Sequence, residues 1–136
     1  MKEPLDDLRA SVSEWLSHAQ EDLESVKRSL QPPPLVASAL FHSQQAAEKA
    51  LKGYLVALGM ARIPRTHDLA LLAEAVQAAG GNAPTPTDLS LLNDFGSRVR
   101  YPDERQHDLE EALEAQEAAA CILRRLEAEI RGILGQ

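Results

Sequence analysis

His42, Gln45, Lys49 and Lys52 recur at steps of 3, 4 and 3 residues. At a helical pitch of about 100° per residue they stack into one stripe of an imidazole, an amide and two ammonium groups. Val36, Leu40, Ala47, Leu51, Tyr54 and Leu58 fall on the opposite, apolar side. Donors in a row on a rigid element suit contact with a nucleotide or a phosphate. The plainer alternative is a solvated helix face on which Glu48 balances the lysines.

A second constellation lies between Arg98 and His107, where three Arg, one Tyr and one His share ten residues just before a helix start. Backbone donors, guanidinium forks and an aromatic face would suit a phosphate and a stacked base. Arg98, Arg100 and Tyr101 therefore join the stripe as candidate nucleotide-binding residues. The alternative is surface ion pairing of Arg98, Arg100 and Arg105 with Asp94, Asp103, Glu104 or the acidic last helix.

Other chemistries find little support. The chain has no Gly-rich phosphate loop, no His-Glu-x-x-His and no Gly-x-Ser-x-Gly. His18, His42, His67 and His107 fall on four different predicted elements or their starts, so neither a metal site nor a cofactor is expected. The lone Cys121 excludes an internal disulfide, and its neighbours Ala118, Ala119, Ala120 and Ile122 suggest a small core filler.

The elements that must carry these residues read as helices. A first runs from about Leu5 to Leu30 on the stripe Leu5, Leu8, Val12, Trp15, Ala19, Leu23, Val26 and Leu30. Pro32-Pro33-Pro34 ends it. A second runs from about Leu35 to Leu58, closed by Gly59, its alanines allowing close approach of neighbours. A third, about His67 to Ala79, is expected to take Thr66 as N-cap, with Asp68 suiting the positive helix start. Gly80 to Pro86 reads as a loop tolerant of insertion, and Thr87 as the cap of a short helix with Leu89, Leu92 and Phe95 that fails at Gly96-Ser97. The last helix starts near Asp108, which forms a capping-box pattern with Glu111, and runs to about Leu134. Its stripe is Leu109, Leu113, Ala120, Leu123 and Ile130, with Ala112, Ala119, Leu126 and Ile133 beside it. No segment alternates with a strand period, so the fold class is all-α: three long helices and two short.

With 136 residues the chain suits one domain, 1–136, and two Phe, two Tyr and one Trp leave Leu and Ala to fill the core. A net charge of −7 argues against a broad nucleic-acid-coating surface and leaves room for a local one. The stretch from Lys49 to Arg105 is close to neutral, whereas Asp108 onward carries seven acids against three Arg. No run approaches the roughly 18 apolar residues of a membrane span, and the acidic start lacks a signal-peptide core. A cytoplasmic location without membrane contact is expected. Ile133, Leu134 and Leu126 look like a surplus that would suit a partner face.

Phe41-His42-Ser43-Gln44-Gln45-Ala46-Ala47-Glu48-Lys49-Ala50-Leu51-Lys52, then Thr66-His67-Asp68-Leu69, then Arg100-Tyr101-Pro102-Asp103, resemble the landmarks of the HEPN domain family. Trp15, Ala19, Asp22 and Leu23 resemble its first helix, and the likeness spans about Ser13 to Ala128. It implies an up-and-down bundle of four to five helices, commonly a homodimer. It also implies pairing with a separately encoded minimal nucleotidyltransferase, in toxin–antitoxin or related modules. Many members are metal-independent endoribonucleases, marked by an Arg, four to six residues and a His at the start of the last long helix. Arg100 and His107 match that spacing, which would make them catalytic at a dimer interface. Tyr101-Pro102 after Arg100 and Asp108-Leu109-Glu110 after His107 depart from the active pattern. The leading expectation is thus a non-catalytic nucleotide-binding or nucleotidyltransferase-partner protein. A ribonuclease and a pure protein-interaction module are the alternatives.

Overall fold

Proline and glycine set where the chain turns. The structure, a computed structural model, describes residues 4–93 and 106–135. Among them lie five helices and no strand: α1 (Pro4–Ser29), α2 (Val36–Ala57), α3 (Leu69–Ala78), α4 (Pro86–Asn93) and α5 (Leu109–Leu134). α1 stops just before Pro32-Pro33-Pro34. α2 and α3 each close on a left-handed glycine, Gly59 at φ 92° and Gly80 at φ 86°. Gly59 and Met60 donate back to Val56 and Leu55, as Gly80 and Gly81 do to Gln77 and Val76, so the last carbonyls of both helices are satisfied.

Pair contacts give the directions. Ser29 and Ser38 meet beside the first turn at 2.9 Å. Farther along, a Cβ built on Gly53 would lie 3.0 Å from Trp15 Cβ. α1 and α2 are therefore antiparallel and closely approached. Gln20 bonds Glu127 and Arg9 bonds the Leu134 carbonyl, so α5 also runs against α1 and along α2. α2 packs on all four other helices. Ala39, Ala46, Ala47 and Ala50, all fully buried, make room for that, while Leu51, Tyr54 and Leu55 fill the centre. Each such large side chain contributes about 1.5–3 kcal/mol on burial.

Several expectations need correction. Asp68, not Thr66, caps α3, accepting from Ala70 and Leu71 N–H groups at 2.9 and 3.4 Å. The carboxylate outcompetes the hydroxyl at a positive helix end, and Thr66 Oγ1 instead accepts from the Asp68 N–H. α4 starts at Pro86, one residue before the expected cap Thr87, with Thr85 and Asp88 bonding each other's N–H. Proline suits the first helical position, where no N–H is needed. The Gly80–Pro86 loop is pinned rather than free. Asn82 N–H donates to Tyr54 Oη at 2.9 Å, and a Cβ on Gly81 would come within 2.6 Å of Leu58 Cδ1.

On α5 the buried side is Ala112, Ala115, Ala119, Ile122, Leu123, Leu126, Ile130 and Leu134, so Leu109 and Leu113 are exposed. Small alanines face α2 because the helices lie close together. Cys121 is exposed too, since apolar sequence neighbours do not share its helical face. Leu126 and Leu134 belong to the core, which leaves Ile133 alone of the supposed partner face in solvent. The capping box at α5 is as expected, Asp108 accepting from the Glu111 N–H at 2.9 Å and donating its own to Glu111 Oε1 at 3.3 Å. Asp108→Ala should lower stability by about 0.5–2 kcal/mol, read from the urea midpoint at constant m. The expected end of the fourth helix, from Phe95 through Gly96-Ser97, lies outside the described residues.

Candidate functional site

The stripe of α2 does not face bulk water as a set of free cations. α2 is buried almost all round from Ser43 to Ala57, Lys52 and Glu48 included. The reason is an acid on the packing face of α1: Asp22, only 6% exposed, sits between Ala19 and Val26. One Asp22 oxygen accepts from His42 Nδ1 at 2.8 Å and the other from Lys49 Nζ at 2.6 Å. A carboxylate can only accept, so the His42 proton is on Nδ1.

Glu48 repeats the pattern on the neighbouring side of α2. Its oxygens accept from Lys52 Nζ at 3.1 Å and from His67 Nδ1 at 2.8 Å. Lys52 also lies over the Trp15 ring, 5.9 Å from its centroid. Gln44, fully buried, donates to the His67 carbonyl and accepts from Gln45, each at 2.8 Å. Asn93 at the end of α4 fastens the start of α3 here, accepting from Leu69 N–H at 2.7 Å and donating to Asp68 Oδ1 at 3.1 Å.

His42, Gln45, Lys49 and Lys52 are thus brought into one polar layer where α1, α2 and the start of α3 meet. Glu48 does balance Lys52, as the plainer alternative expected, but the pair is buried rather than solvated and Lys49 is held by Asp22 instead. Burial of a charge is tolerable only with such pairing. His42 is 29% exposed at its side chain, Lys49 27% and His67 61%, so the layer reaches the surface through these groups. Reasoning from the sequence did not single out Asp22 and His67 as members of this layer. The available signal was an acid within the apolar stripe of α1.

Among the described residues no group of three His, Cys, Asp or Glu is arranged to hold a metal ion. No described helix is long and apolar enough to cross a membrane. Arg98, Arg100 and Tyr101 lie outside the described residues. His107 is described: Nδ1 bonds Glu111 Oε2 at 2.6 Å, and the side chain is 13% exposed.

A family model described as the HEPN domain matches residues 12–129. The chain belongs to the HEPN family. The solved structures include a crystal structure of an archaeal HEPN homologue that is 26% identical, with a TM-score of 0.64. The match covers 88% of this chain and 97% of that one, so the helical arrangement above is a HEPN fold. Curated proteins yield no match. In this HEPN chain the region matched contains the whole Asp22–His42–Lys49 and Glu48–His67–Lys52 layer, as well as His107 and Glu111.

Proposed function

We propose that this HEPN protein is a non-catalytic, homodimeric component that binds a nucleotide and works beside a minimal nucleotidyltransferase, in a module of the toxin–antitoxin type. The observation that carries the reading is the polar layer on α2. Two buried carboxylates, Asp22 and Glu48, hold the half-buried His42 and the exposed His67, and Gln45 lies on α2 between His42 and Glu48. The chain leaves this layer at Asn93, and Arg98, Arg100 and Tyr101 follow five to eight residues later. Guanidinium forks and a tyrosine ring would add the phosphate and base contacts.

ATP titrated calorimetrically into the protein should bind saturably, and Arg100→Ala should weaken it by about tenfold or more, the worth of one charge-assisted hydrogen bond. Gln45→Ala should weaken it less. Unchanged affinity in both variants would mean that the site is assigned wrongly.

A second reading, a metal-independent endoribonuclease, is favoured by the His107–Glu111 pair. A carboxylate 2.6 Å from Nδ1 orients an imidazole as a general acid or base requires. Arg100 would then stabilise charge on the scissile phosphate. Cleavage of labelled RNA in EDTA by the unmodified protein, and not by His107→Ala, would replace the first reading with this one.

A further inference from the structure

Charge accounting within the polar layer points to how such a site would hold an anion. Asp22 neutralises Lys49 and Glu48 neutralises Lys52, so the four buried or half-buried groups carry no net charge. Releasing either ammonium towards a phosphate would leave a carboxylate that is 9% or 5% exposed at its side chain with a neutral imidazole as its one remaining partner among these groups, and the low-dielectric surroundings oppose that loss of the countercharge. The imidazoles face no such conflict. His42 and His67 each use Nδ1 on a carboxylate and carry a second ring nitrogen, and their side chains are 29% and 61% exposed. Protonation preserves the Nδ1 bond, adds a positive charge and turns Nε2 into a donor.

The placement is suitable as well. At about 100° per residue, Gln45 lies on the arc of α2 between His42 and Glu48, the carboxylate that holds His67. The charged groups around His42 are Asp22 from α1 and Lys49 from α2. His67 is held by Glu48 from α2, which also pairs with Lys52; the α3 cap Asp68 follows it in sequence, and Arg62 and Arg65 precede it between α2 and α3.

We infer that this face takes a phosphodiester through the protonated imidazoles of His42 and His67 rather than through Lys49 and Lys52, so that binding is coupled to proton uptake. The inference rests on the nucleotide-binding reading and deepens it by naming the groups that supply the charge. A phosphodiester keeps its single negative charge across the range in which histidine titrates, so any pH dependence originates in the protein.

The test is anisotropy of a rhodamine-labelled thymidine hexanucleotide, which lacks the 2′-hydroxyl needed for cleavage, at constant ionic strength. Affinity should rise by about tenfold or more from about pH 8 to about pH 6. His42→Gln and His67→Gln should each flatten the dependence and together abolish it, while His18→Gln on the outer side of α1 should leave it intact. His67 is exposed enough that His67→Gln alone decides the matter should His42→Gln fail to fold. Equal affinity at both pH values, or a dependence that survives the double substitution, overturns this inference and leaves nucleotide binding standing. Absence of hexanucleotide binding at both pH values overturns this inference alone if ATP still binds, and both readings if ATP fails to bind as well.

Discussion

Glu48→Ala should lower the folding free energy by about 3–5 kcal/mol, the cost of leaving a buried charge without its partner. The carboxylate is 4% exposed and satisfies both the Lys52 ammonium and the His67 imidazole. Removing it strands Lys52, whose side chain is 10% exposed, against the Trp15 ring and the α1–α2 contact. Urea unfolding followed by far-UV circular dichroism reads the loss as a lower midpoint. The double substitution Glu48→Leu with Lys52→Met should recover most of it, because a buried ion pair contributes little over an apolar pair of similar volume. A double variant as unstable as Glu48→Ala would show that geometry, not an orphaned charge, governs the effect. The same comparison bears on function, since the apolar pair would keep the bundle and remove one half of the polar layer.

Leu126→Ala is the second large effect, about 2–5 kcal/mol, and Ile133→Ala should change stability by less than about 1 kcal/mol. Leu126 is fully buried, whereas Ile133 is 43% exposed one full heptad later on the same helix. The pair separates two roles that the sequence alone leaves merged. A face reserved for a partner would tolerate truncation in the isolated chain, whereas a core position would not. Thermal unfolding at two protein concentrations measures both variants, and similar losses from the two would contradict the burial described for α5.

Much of the architecture could be read from local chemistry. Pro32-Pro33-Pro34 must break a helix, Gly59 must close one, and Asp108 with Glu111 must open one, because each acts within a turn of itself. The caps of α3 and α4 were less legible, since Thr66, Asp68, Thr85 and Thr87 all qualify locally and only the path of the chain chooses among them. The face of α5 was legible to about one residue. Leucine attracts the eye, yet close packing on α2 selects Ala112, Ala115 and Ala119, and turns Leu109, Leu113 and Cys121 outward.

For the site, the sequence by itself determined the helical class, the stacking of His42, Gln45, Lys49 and Lys52, and the family likeness that residues 12–129 bear out. What those side chains do to one another was decided only in three dimensions. Asp22 is 20 residues from His42 and 27 from Lys49, and His67 is 19 from Glu48. Periodicity reports the face on which a residue lies but not the partner packed against that face. The Glu48–Lys52 pair, four residues apart on α2, is local, whereas the Asp22 and His67 contacts exist because α1 and the start of α3 pack on that helix, where the low-dielectric surroundings make one nearby carboxylate count heavily.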